Sequence, residues 1–244
     1  MIGREVLDGG RVGLLTIDRP DRRNAVDEAA CIELEDGLRS FVDGGARVVV
    51  LTGAGGHFCA GADLKGVEDA GFRGALRSLL DALVAVPVPV MAAVSGAALG
   101  AGTQLAVACD LRVTAVDARF GIPAAKLGLM VDHWTVQRLA RLAGFGPAQA
   151  MLLAAADYSG ADAVGLGLAH RIGTLDDAVA WAGSIASSLA PLTIAGHKLA
   201  LTRLEAAAAD ADVAAAVARA WSSEDLAEGM AAFRERRPPQ FKGQ

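Results

Sequence analysis

Residues 82–109 carry no charged side chain. An uncharged run of that length is long enough to span a bilayer. It is nonetheless interrupted by Pro87, Pro89, Gly96, Gly100 and Gly102, with Ser95, Thr103 and Gln104 inside it. Proline and glycine at these intervals break a continuous helix. The run therefore reads as a buried strand, a turn and a buried helix. A segment like that requires a core large enough to enclose it, and 244 residues suffice for one sizeable domain or a domain with an appended helical element. At 53% hydrophobic and 21% charged residues, the composition is that of a globular chain.

Around this run the chain repeats strand, loop and helix. Residues 12–17 are apolar and rich in β-formers, and they end in the turn signal Asp18-Arg19-Pro20-Asp21. Asp27 is placed to cap a helix whose apolar positions include Ile32, Leu34, Leu38 and Phe41. Residues 47–52 form a continuous apolar run, as expected of a strand covered on both faces. A glycine-rich loop over 53–63, a helix over 73–86, a strand over 89–94 and a strand over 111–115 follow. Glycine-rich loops thus fall at the C-terminal ends of strands, where open α/β architectures place ligands. Beyond about Asp132 strand signals nearly vanish apart from 169–172, and alanine-rich helical patterns run to Arg237, where Pro238-Pro239 ends the last. The expected division is a core over 1–190 and a helical region over 191–244, packed on that core or on a neighbouring subunit.

The chemistry concentrates between Gly96 and Asp110. A glycine-rich turn feeding an apolar helix gathers free backbone N–H groups and the positive end of a helix dipole at one point. That combination stabilises a developing oxyanion. The net charge of −5 argues against nucleic-acid binding. Cys31, Cys59 and Cys109 are odd in number and unclustered, which predicts buried free thiols in a reducing compartment. No basic start with an apolar core and cleavage site is present, so a cytoplasmic location without a transmembrane segment is expected. His57 lacks an acidic neighbour in sequence and is expected on a surface loop. No His/Cys/Asp cluster suggests a metal, and no nucleophile-elbow or phosphate-loop pattern occurs.

Three stretches together resemble the crotonase (enoyl-CoA hydratase/isomerase) superfamily. They are Asp18-Arg19-Pro20-Asp21-Arg22-Arg23-Asn24-Ala25; Leu51-Thr52-Gly53 through Phe58-Cys59-Ala60-Gly61-Ala62-Asp63-Leu64-Lys65; and Gly96 through Asp110. The end of the chain, Glu228-Gly229-Met230-Ala231-Ala232-Phe233 onward to Phe241-Lys242, adds a fourth. The resemblance implies an α/β fold of the crotonase-like (ClpP/crotonase) type, a spiral of ββα units with an α-helical C-terminal trimerisation region. It implies an acyl-CoA thioester as ligand, no cofactor beyond that coenzyme A, and a homo-oligomer, either a trimer or a dimer of trimers. Matching the motifs places the two oxyanion donors at the N–H groups of Ala62 and Ala101. The family usually has glycine at the second position, so Ala101 would be strained if φ there were positive. Arg22 and Arg23 correspond to the stretch bordering the nucleotide, while Ala25, Ala60, Asp63 and Leu64 correspond to the adenine and pantetheine path. Phe233 and Lys242 match C-terminal elements that contact the nucleotide, often across a subunit boundary.

Two positions depart from the hydratase pattern. Hydratases of this family hold a water between two glutamates; here the first position is Gln104, and the segment Phe120-Gly121-Ile122-Pro123-Ala124 has Ala124 at the second. Neither an amide nor a methyl group can serve as a base near neutral pH. Asp132, followed by His133 and Trp134, matches a place where isomerase and dehalogenase members carry an aspartate. It is expected either to cap a helix over 134–142 or to shuttle a proton together with His133, with His133 and Trp134 at the substrate and Trp134 as packing or pocket wall. The pattern resembles non-hydratase paralogues of lipid-rich actinobacteria, which implies binding or handling of fatty acyl-CoA in lipid synthesis. Isomerisation through Asp132 and residual enoyl-CoA hydration are the alternatives.

Overall fold

A computed structural model of the chain describes residues 1–63, 70–127, 129–204 and 222–244, together with 215 and 219. Nine strands and nine helices are described, the 3₁₀ turns aside. The strands are β1 (Ile2–Leu7), β2 (Val12–Ile17), β3 (Val48–Gly53), β4 (Val90–Val94), β5 (Ala97–Leu99), β6 (Leu111–Thr114), β7 (Arg119–Gly121), β8 (Asp157–Ser159) and the short β9 (Arg171–Ile172). The helices are α1 (Glu28–Asp43), α2 (Ala70–Ala85), α3 (Ala101–Ala108), α4 (His133–Ala143), α5 (Phe145–Leu153), α6 (Gly160–Gly165), α7 (Leu175–Ser188), α8 (Pro191–Thr202) and α9 (Glu224–Glu235).

A six-stranded sheet runs β1-β2-β3-β4-β6-β9. β1 pairs antiparallel with β2, from Ile2 against Ile17 to Leu7 against Val12, and the remaining pairings are parallel. The expectation of a strand covered on both faces holds for β3. Its Val48 and Val50 pack with Ala178, Ala182 and Ile185 of α7, while Val49 and Leu51 join the main core with Leu34, Leu38 and Leu80. Alternation along a pleated strand sends neighbours to opposite faces, so an all-apolar run needs cover on both. In α1, Asp27 caps the helix by accepting from Ala30 N at 2.9 Å, and the buried stripe is Cys31, Leu34, Leu38 and Phe41. Ile32, expected on that stripe, is exposed, because Cys31 has the helical phase of Leu34 and Leu38.

The uncharged run divides between the end of α2, β4, β5 and α3, and every residue of α3 is buried. A helix that is apolar all round belongs in a core. Among the described residues no single helix is long and apolar enough to cross a membrane. A second sheet, β5-β7-β8, joins Ala97–Leu99 to Arg119–Gly121 in parallel and the latter to Asp157–Ser159 antiparallel. Three-residue strands carry too little pattern to be read from sequence.

The C-terminal region is anchored at two points. Lys198 of α8 reaches into the core, where its ammonium donates to Leu83 O, Val88 O and the Asp110 carboxylate at 3.0, 2.9 and 2.7 Å. Asp225 of α9 accepts from Lys242 N at 2.6 Å and Gly243 N at 2.8 Å, and Arg47 donates to Phe241 O at 2.5 Å. The tail thereby returns to the residue just before β3. The mixed α/β architecture with a helical C-terminal region agrees with the expected spiral.

Candidate functional site

Two loops meet at the C-terminal ends of β3 and β5. The first follows β3 and is held from below by Asn24, which is fully buried in a left-handed conformation (φ 61°). Its amide donates to Ala54 O at 2.7 Å and His57 O at 2.6 Å, and its oxygen accepts from Arg19 N at 2.9 Å. His57 is half-buried rather than a free surface side chain, since its Nδ1 accepts from Ala97 N at 3.1 Å. Further along, Cys59 N donates to Ala97 O and Leu99 N to Cys59 O, which lays this loop against β5. The second loop turns at Gly100 into α3. Gly102 lies so close beneath the first loop that a Cβ there would sit 2.0 Å from Cys59 O.

Two backbone donors beside this approach are unused. Val26 N donates to Gly61 O and Asp63 N donates to Val26 O, leaving Ala62 N between them without a partner among the described residues. Ala101 N opens α3, and no hydrogen bond within the described residues takes it up. The positive φ of the turn falls on Gly100 (54°), so Ala101 carries its N–H without the strain that a left-handed alanine would suffer. Both residues open on one cavity of about 540 Å³. Its other walls are Phe72, Arg73, Leu76, Arg77 and Leu80 of α2, Gln104 of α3, and residues of the segment from Ile122 to Asp132.

A family model described as enoyl-CoA hydratase/isomerase matches residues 8–244. The chain belongs to the enoyl-CoA hydratase/isomerase family. It is 46% identical over 237 residues to a protein of Mycobacterium tuberculosis (strain CDC 1551 / Oshkosh) named probable enoyl-CoA hydratase echA6, covering 94% of this chain and 96% of that one. It is 35% identical to a 2,3-dehydroadipyl-CoA hydratase of Escherichia coli (strain K12), over 96% of each chain. Among solved structures, an enoyl-CoA hydratase from Mycobacterium tuberculosis H37Rv superposes with a TM-score of 0.87 at 34% identity, covering 100% of this chain and 99% of that one.

Within this family member, Gln104 and Ala124 both line the cavity. Gln104, 7% exposed, donates from Nε2 to the buried Thr135 hydroxyl at 2.8 Å. Ala124 is half-buried on the 3₁₀ turn Pro123–Leu127. Asp132 also lines the cavity, but its carboxylate is engaged. It caps α4 by accepting from Thr135 N at 2.9 Å and takes a second bond from Arg77 at 2.9 Å. Burial raises its pKa, yet hydrogen bonds from Thr135 and Arg77 together with the Arg77 charge outweigh that and hold it below the usual carboxylate range. Arg77 is itself held by Asp81 and lies 4.3 Å from the centre of the Trp134 ring.

Several expected contacts are not brought to the cavity within this chain. His133 and Trp134 do not line it: the first turn of α4 rotates them away, His133 to solvent beside Gln137 and Trp134 against the core. Arg22 pairs with Asp63, and Arg19 bonds Asp27 at 2.5 Å, so this turn braces the first loop rather than lining the cavity. Arg23 is exposed, and its carbonyl accepts from Ala60 N; Ala25 O accepts from Arg19 at 2.8 Å. Ala60 does line the cavity. Leu64 and the Phe233 side chain lie outside the described residues. Lys242 sits exposed near the N-terminal end of β3, opposite the strand ends that carry the cavity. Sequence reasoning missed the α2 wall. Its signal was present as Phe72, Leu76 and Leu80 at i, i+4 and i+8, with Arg73 and Arg77 one step around the helix.

Proposed function

We propose that this protein binds an acyl-CoA thioester with its carbonyl oxygen between Ala62 N and Ala101 N, and that it hydrates enoyl-CoA weakly or not at all. The observation that carries the reading is the pair of unpartnered N–H groups, among the described residues, opening on a largely apolar cavity in which Gln104 and Ala124 occupy the expected acid positions. One oxyanion donor is worth about 3 kcal/mol in a transition state. Each missing acid–base group costs about 10²–10⁴ in rate. Binding therefore survives where hydration does not.

Arg22, Arg23, Ala25, Ala60, Asp63 and Leu64 would border the coenzyme A moiety, with Phe233 and Lys242 reaching it from a neighbouring subunit of a trimer or dimer of trimers. The placement of Lys242 away from its own chain's cavity supports that arrangement. Coenzyme A arrives with the ligand, and no further cofactor is invoked. A role in fatty acyl-CoA handling follows. Isomerisation through Asp132 is the second reading, favoured by its place in the cavity wall and opposed by the pairing with Arg77, which disfavours proton uptake.

Calorimetry with saturated acyl-CoA of increasing length should show binding, while the enoyl absorbance of crotonyl-CoA stays constant beyond background. Rapid loss of that absorbance would sink the reading. Exchange of α-protons that stops in Asp132→Asn would instead establish the isomerase.

A further inference from the structure

Arg77 and Asp132 stand on separate walls of the cavity, one on α2 and the other at the start of α4. Each is first fixed on its own element. The Arg77 guanidinium donates from Nε and Nη2 to the Asp81 carboxylate, one helical turn along α2, at 3.0 and 2.6 Å. One carboxylate oxygen of Asp132 caps α4 by accepting from Thr135 N at 2.9 Å. The atoms left over meet, and Arg77 Nη1 donates to the other Asp132 oxygen at 2.9 Å. The same guanidinium lies 4.3 Å from the centre of the Trp134 ring on α4. Among the described residues the backbones of α2 and α4 otherwise approach each other little, so this link spans the gap between them.

The link lies away from the oxyanion donors. Gln104 stands about 4.5 Å beyond Ala101 along α3. Its amide donates to the Thr135 hydroxyl in the first turn of α4 at 2.8 Å. Asp132 and then Arg77 follow Thr135 in that series of contacts. An acyl chain held by its carbonyl at Ala62 and Ala101 therefore presents its far end to the pair, not its thioester. Beside the pair, Leu129 and Met130 line the cavity yet are exposed to solvent. A tail that parts the link continues over apolar side chains.

We propose that Arg77 and Asp132 form a latch at the far end of the acyl compartment, and that this pair sets which chain lengths the site takes up without rearrangement. The proposal rests on the acyl-CoA reading above. Opening the latch breaks one hydrogen bond between the two walls and the ring contact, while Asp81 keeps the guanidinium and Thr135 keeps the carboxylate. Both groups are partly open to water, which limits what the link is worth. Parting it costs a ligand about tenfold in affinity. Each further methylene taken out of water gains about fourfold. About two methylenes beyond the latch therefore offset its opening. Short chains bind beneath it and long chains bind through it.

The test is calorimetry of the purified full chain with saturated acyl-CoA lengthened two carbons at a time. Coenzyme A is common to every ligand, so its contribution cancels between successive lengths. Affinity should rise about fifteenfold per step, stall for one step where the tail meets the latch, and then resume. Arg77→Met keeps an apolar stem without the charge, and in it the stall should vanish. Asp132→Asn keeps a good cap for α4 and should shrink the stall. Added salt screens a partly exposed pair, so it should shorten the stall in the native protein and leave the Arg77→Met series unchanged. A stall at the same length and of the same size in both variants, or a native series that rises without one, overturns the latch alone. Failure of every acyl-CoA to bind overturns the acyl-CoA reading as well. Circular dichroism and thermal melts establish that each variant is folded, and Asp132→Asn carries the test should Arg77→Met fail to fold.

Discussion

Gly102 shows how closely one backbone atom can control the site. A methyl group there would meet Cys59 O, a rigid backbone oxygen, so the loop bearing Ala62 or the start of α3 would have to move. Overpacking of this kind costs about 1–3 kcal/mol. Gly102→Ala is therefore expected to lower stability in urea titration by that amount and to weaken acyl-CoA binding as the two donors separate. Gly74 on α2 is the matched comparison, since a methyl group added there would meet nothing within 4 Å. Gly74→Ala should be neutral or stabilising by up to about 1 kcal/mol. A Gly102→Ala protein as stable as Gly74→Ala would contradict the packing argument. Asn24 works at the same scale: two of its hydrogen bonds hold the first loop at Ala54 and His57 and a third ties it to Arg19, a role its neighbours in sequence did not announce.

At the scale of elements, edges are joined by side chains as well as by ladders. His170 precedes β9, and its Nδ1 accepts from Arg112 N on β6 at 3.1 Å. Burial, and then the charges of Arg112 and Arg171, push its pKa from 6.5 down to about 4. The unfolded chain therefore takes up a proton before the folded one does. Stability contributed by neutral His170 is fully present above about pH 6.5, is lost as pH falls from there toward 4, and changes no further below that. Urea titrations across pH 4–7 should show this slope, and His170→Gln should flatten it. An unchanged slope in the variant would assign the effect to other groups. Strands β2, β3, β4, β6 and β9 and the helix caps of α1 and α4 were legible from the apolar runs, Asp27 and Asp132, because each depends on local pattern. β1 was not, because it is largely exposed and has no apolar run, and β5, β7 and β8 were not, because they are held by pairing between distant segments.

For the whole molecule, the uncharged run and the three cysteines make one prediction. Cys31, Cys59 and Cys109 are free and buried, and desolvation pushes each thiol up to about 12. The thiolate is the reactive form. A thiol-specific chromogenic reagent should leave the native protein unlabelled over the time in which denatured protein reacts at all three sites. Stoichiometric labelling of the native state would place at least one cysteine outside the core.

The order of residue types alone requires that residues 82–109 be enclosed, places glycine-rich loops at the strand ends, and puts no acid at positions 104 and 124. These follow from side-chain chemistry and local periodicity, which short windows contain. It takes the packing of distant segments to bring Ala62 and Ala101, whose N–H groups are unpaired among the described residues, to one cavity, to make α2 its wall, and to commit Asp132 to Thr135 and Arg77. The orientation of Gln104 was decided there too, because an amide takes its direction from its partners, and Thr135 is 31 residues away in sequence.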